Sequence, residues 1–136
     1  MRKLALFIAV GAALVVIPAA VASPTVRLSL IHVLRGCHMW GTEDSRPLGA
    51  THTVILKPGA RIAIRNSCPM AFDVTQLAGP KLAGGLGRWE TGTTHTLVFA
   101  KAGMYRLQAV NLQSSAEMGL QTLGPDAKPL LIVRVR

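Results

Sequence analysis

The stretch "THTVILKPGARIAIRNS", Thr51 to Ser67, is written in period two on both sides of a Lys-Pro-Gly turn. Val54 and Leu56 fall on one face before the turn, Ile62 and Ile64 on one face after it, and Arg61 and Arg65 take the alternate positions. Successive side chains of a strand point to opposite faces, so this is the pattern of two half-buried strands with arginine on the wet side. The same grammar extends outward. "TVRLSLIHVL" alternates from Val26, "FDVTQLAGP" follows, "HTLVFAKAGMYRLQAV" folds over Lys101-Ala102-Gly103, and "PLLIVRVR" closes the chain. These are short β-branched runs punctuated by Gly, Pro and Asn, with no period of 3.6 after Ser23, and they predict an all-β sandwich. Residues 36–50, 78–94 and 111–129 are less regular and are expected as surface loops, where function tends to be carried.

The N-terminus sets the compartment. Met1-Arg2-Lys3 is a short positive head, "LALFIAVGAALVVI" is uncharged and apolar, and Ala20-Val21-Ala22 supplies a small-x-small cleavage pattern. A signal peptide over residues 1–22 is expected, with one domain over 23–136, exported to a periplasm or secreted. An uncleaved anchor is the weaker reading, because the apolar run is short for a span and Pro18 interrupts it. The chain carries 15 basic and 6 acidic residues, for a formal charge of +9. That balance invites a nucleic-acid reading. Arg61, Arg65, Arg134 and Arg136 alternate with aliphatic residues and aromatics are few, so no nucleic-acid partner is expected, and anionic surfaces or an acidic protein are the better use of the charge.

The order "ILKPGARIAIRN…FDV…HTLVFAKAGMYRLQAV…EMG…LLIVRV" resembles the cupredoxins, the small exported blue-copper sandwiches. Their chains commonly read as a strand, a Lys-x-Gly turn, a strand ending in Asn, and a Phe-x-x-x-Gly-x-Tyr hairpin, here Phe99, Gly103 and Tyr105. The resemblance covers about Thr25 to Arg136 and implies a cupredoxin-like Greek-key β-sandwich. It also implies a copper site, and there the sequence departs. Where the family has a ligand histidine after the Asn-terminated strand, "SCPMAFDV" puts Phe72. Where the copper thiolate usually lies, four residues after the tyrosine, stands Ala109, and the following loop contains no histidine. Only Met118, in "AEMGL", matches the weak methionine ligand. A blue-copper centre needs two imidazoles and a thiolate in a trigonal arrangement, which these positions cannot supply.

A different site is expected at the same end. The resemblance places the Lys-Pro-Gly and Lys-Ala-Gly turns away from the copper, so the loops 36–50, after Asn66 and after Ala109 should gather at the opposite end. That brings Cys37 and His38, in "RGCHMWG", toward Cys68 and Met118. Alternation adds His52, in phase with Val54 and Leu56, and His95, in phase with Leu97 and Phe99, although strand-end histidines are also ordinary satisfied side chains. Imidazole, thiol and thioether together suit copper. His32 lies within the first strand and is not counted in this set. The competing reading of the cysteines is a Cys37–Cys68 disulfide, the common fate of two cysteines in an exported domain, with a loop-closure contribution of about 3 to 4 kcal/mol.

No catalytic signature accompanies these residues. There is no Gly-x-Ser-x-Gly and no paired carboxylate motif, and "GPKLAGGLG" lacks the Lys-Ser/Thr ending of a phosphate loop; its glycines read as a flexible crossing between sheets. Cys37 and His38 are adjacent, and adjacent residues of an extended chain face opposite ways, so no Cys-His dyad is expected. The sequence therefore predicts a non-enzymatic copper-binding or electron-transfer protein with a redox or copper-donor protein partner. The alternative is a metal-free, disulfide-closed sandwich acting as an envelope or extracellular interaction module.

Overall fold

The computed structural model describes residues 16–18, 23–33, 37–112 and 128–136. The proposed cleavage site at Ala20-Val21-Ala22 and the candidate ligand Met118 lie outside them. The described residues form ten strands: β1 Thr25–Val33, β2 Cys37–Thr42, β3 Pro47–Gly49, β4 Thr51–Leu56, β5 Ala60–Asn66, β6 Phe72–Ala78, β7 Gly87–Trp89, β8 Thr94–Phe99, β9 Gly103–Asn111 and β10 Leu130–Val135. They make two five-stranded sheets, ordered β3-β2-β1-β5-β8 and β4-β10-β9-β6-β7. The expected all-β sandwich is therefore present, with β1 parallel to β5, β4 parallel to β10, and the other pairs antiparallel.

The period-two pattern translates directly into layers. Val54, Leu56, Ile62, Ile64, Leu97, Phe99, Leu107 and Val133 fill the space between the sheets, while Arg61, Arg65, Arg134 and Arg136 are exposed. Burial of these faces is the main force closing the sandwich. Trp40, Trp89, Phe72 and Tyr105 are the largest fully buried side chains.

Both Lys-x-Gly turns are corners between sheets, the second of them where the resemblance implies a hairpin. β4 leaves the second sheet and β5 joins the first, with Gly59 at φ +87° and the Ala60 N–H bonded to the Lys57 carbonyl at 3.1 Å. Likewise β8 lies in the first sheet and β9 in the second. Tyr105 pins that corner: its hydroxyl donates to the Lys101 carbonyl at 2.7 Å, and its ring meets Phe99 edge-on with centroids 4.9 Å apart. Alternation alone cannot separate a hairpin from a corner, because both need a tight turn between two amphipathic runs.

Two expected loops contain strands. The segment 36–50 holds β2 and β3, and 78–94 holds β7. β2, "CHMWGT", lacks β-branched residues except at its end, yet it pairs with β1 along its length. Strand propensity is weak against tertiary pairing. Gly41 fits within this strand because a Cβ there would lie 3.0 Å from Ser29 Oγ and from Ile31 Cγ2.

The glycine-rich segment after β6 does not cross between sheets. It returns to the same sheet as β7 and is tied down rather than loose: Gln76 Nε2 donates to the carbonyls of Ala78 and Pro80, and its Oε1 accepts from the Leu82 N–H. Gly85 has φ +86°, and a Cβ there would lie 2.9 Å from the Thr96 carbonyl oxygen. The glycine serves a close approach of backbone to backbone.

Candidate functional site

The C-terminal ends of β1, β5 and β9 and the N-terminal ends of β2, β4, β6, β8 and β10 meet at one end of the sandwich, as the pairing registers show. At this end His38 occupies the second position of β2. It has the phase of Trp40, so its imidazole faces inward, and it is 1% exposed. Phe72 meets its ring edge-on at 5.3 Å between centroids. Within its own sheet, the residue directly across on β1 is His32, with ring centroids 5.2 Å apart and planes tilted by 47°. His32 is exposed.

His32 was legible in the sequence. Val26, Leu28, Leu30 and His32 share one phase, by the same alternation that selects His52 and His95. Its place inside an otherwise ordinary strand hides the fact that the strand ends at the open end of the sandwich.

Asn66, the last residue of β5, organises the neighbouring loop. It is fully buried. Its Nδ2 donates to the carbonyls of Met70 at 2.8 Å and Trp89 at 3.0 Å, and its Oδ1 accepts from the Cys68 N–H at 3.0 Å. The Ser67 N–H continues the β1–β5 ladder by donating to the Leu30 carbonyl at 2.9 Å. These bonds fold residues 67–71 inward, so that Cys68 and Met70 join the core. Met70 Sδ accepts from Asn111 Nδ2 at 2.9 Å.

Cys68 is a free, buried thiol in the structure, and Cys37 is described by its backbone pairing with Val33. Burial pushes the Cys68 thiol up to about 12. Desolvation penalises the thiolate, which is the form that ligates metals and attacks electrophiles. Native protein at neutral pH should therefore resist alkylation at Cys68, and denaturation without reductant should expose it. Alkylation only after reduction would instead establish the disulfide with Cys37; peptide mapping of the labelled protein checks this.

His52 and His95 both have the inward phase and are half-buried. Desolvation lowers the pKa of each, which keeps the imidazoles neutral at neutral pH. His95 stacks on Trp89, with centroids 4.9 Å apart and planes 6° from parallel, and its Nε2 lies 2.9 Å from Thr93 Oγ1. It thus has the partners of a satisfied strand-end histidine. His52 lies across from Leu131 in the β4–β10 register. Among the described residues no three His, Cys, Asp or Glu side chains come together as a metal-binding group.

The donor set does not fit a blue-copper centre. Phe72 and Ala109, where the resemblance implies histidine and thiolate, are both fully buried and belong to the hydrophobic core. Hydrocarbon fills the two positions. The imidazoles that do approach each other, His32 and His38, lie on β1 and β2, on a different pair of strands.

No protein-family model and no curated protein matches the chain. Among solved structures it is similar to a purple cupredoxin from Nitrosopumilus maritimus, at 11% identity and TM-score 0.42, covering 79% of this chain and 98% of that one. It is also similar to an oxidised amicyanin variant at 17% identity and a reduced one at 16%, each with TM-score 0.41 and covering 85% of this chain and 88% of that one. At these values the likeness assigns no role to any residue. The solved structures it is similar to are cupredoxins.

Proposed function

We propose that this is an exported copper-binding or electron-transfer protein whose site lies at the loop end of the sandwich, centred on His38 and built without the family's blue centre. The observation that supports this most is the buried, inward-facing imidazole of His38 at the open end, beside a second imidazole. Copper accepts imidazole readily, and the neighbouring His32 ring offers a second one. Cys37, Cys68, Met118, His52 and His95 are the other residues that the sequence offers for this site, and the partner is a redox or copper-donor protein. The test is a copper titration of the wild-type protein and of His38→Ala.

The leader supports a periplasmic or secreted location after cleavage behind Ala22. Intact mass of the purified protein checks this: a mature chain beginning at Ser23 is expected, and a membrane-bound species retaining residues 1–22 would refute cleavage.

A second reading has its own support. Phe72 and Ala109 occupy the family's ligand positions with hydrocarbon, and the Cys68 thiol is held protonated. These features favour a metal-free sandwich that works as an envelope or extracellular interaction module. Failure of the wild-type protein to bind copper selects it.

A further inference from the structure

We propose that His32 and His38 together form a cross-strand metal site, in which one copper ion is held by an imidazole from β1 and an imidazole from β2. The proposal rests on the copper-binding reading above and adds a ligand that the resemblance does not supply.

The pairing geometry carries it. His32 and His38 are direct partners in the antiparallel β1–β2 register, so they lie on the same face of the sheet. Directly opposed residues have Cβ atoms about 4.5 to 5.5 Å apart, which lets two imidazoles converge on one point. Two imidazoles sharing one ion through nitrogens about 2.0 Å from it have ring centroids about 4.5 Å apart at the right angle of a tetragonal Cu2+ site and about 5 Å apart at a tetrahedral angle; here the separation is 5.2 Å, with the planes tilted rather than stacked. Both ligands stand on paired strands, and Phe72 backs the His38 ring. The acidic groups Glu43, Asp44 and Glu90 are engaged with Arg27, Arg46 and Arg88. Met39 and Ile31, the next register pair, have the opposite phase and face away from it.

The two rings differ in access. His38 is buried and His32 is exposed, so an ion enters from the His32 side and keeps coordination positions open to water or to an incoming ligand. Two imidazoles with open positions suit an ion that is loaded and passed on. Copper stands highest in the affinity order of divalent first-row metals for such nitrogen sites.

The experiment is a Cu2+ titration against a competing chelator, with electron paramagnetic resonance counting the coordinated nitrogens. Wild type, His32→Ala, His38→Ala, His52→Ala and His95→Ala are compared, each checked for folding by circular dichroism. His32→Ala removes an exposed side chain and should fold normally. It should weaken copper by at least the roughly 10- to 100-fold that even outer-shell partners of a metal are worth, and should reduce the nitrogen count from two to one. Should His38→Ala lose copper while His32→Ala binds like wild type, the pair is refuted and the broader copper reading stands. If wild type binds no copper, both fall.

Discussion

Asn66→Ala is expected to destabilise the protein by about 3 to 5 kcal/mol, because a buried polar group that loses its partner costs about 1 to 3 kcal/mol. The Asn66 side chain makes three hydrogen bonds in a fully buried place, to the backbone of Cys68, Met70 and Trp89. Alanine would leave one N–H and two carbonyls in need of new partners and would open a small cavity. A loss of this size is a large share of a small domain's total stability of about 5 to 15 kcal/mol. Urea denaturation checks it: the midpoint should fall while the slope stays that of the wild type. Asn66→Asp should be comparably damaging, since it keeps the acceptor, removes both donors and buries a charge. A loss below about 1 kcal/mol would mean that the loop 67–71 holds its shape without this residue.

The second large effect concerns copper. His38→Ala should reduce copper affinity by at least the roughly 10- to 100-fold expected for a supporting residue of a metal site. His52→Ala and His95→Ala should leave affinity nearly unchanged, since His95 is occupied by Trp89 and Thr93 and His52 stands apart on β4. His38 is buried, so the alanine variant also leaves a cavity beside Phe72. His38→Gln fills that space without an imidazole and should lose copper to the same extent while retaining more stability. Retention of copper by His38→Gln would remove His38 from the site.

Much of the fold was legible because the core is written in alternation. "ARIAIRN" and "THTLVF" show their inward and outward faces residue by residue, and the structure buries those faces as read. The errors fell where alternation is silent. It does not say whether two amphipathic runs joined by a tight turn pair with each other or turn a corner, and both Lys-x-Gly turns are corners. It missed β2, where among His38, Met39, Trp40 and Gly41 only Trp40 favours a strand and the segment is held extended by pairing with β1. The site was harder to read, since a ligand set is a matter of convergence rather than periodicity. Sequence placed His38 at the correct end of the sandwich, and only the β1–β2 register sets His32 against it. Cys68 illustrates the opposite case: a residue type suited to copper, at the expected end, whose burial holds it in the protonated form.

Central to this account is copper bound at the loop end by imidazole, without the thiolate of a blue centre. The most direct measurement is the copper content and visible absorption spectrum of the full-length protein exported in cells supplied with copper, with a thiol count on the same sample. About one copper per chain, two nitrogen ligands by electron paramagnetic resonance and no intense blue thiolate band are predicted, as befits imidazole coordination. Protein that stays copper-free under these conditions, or that turns intensely blue, would contradict it.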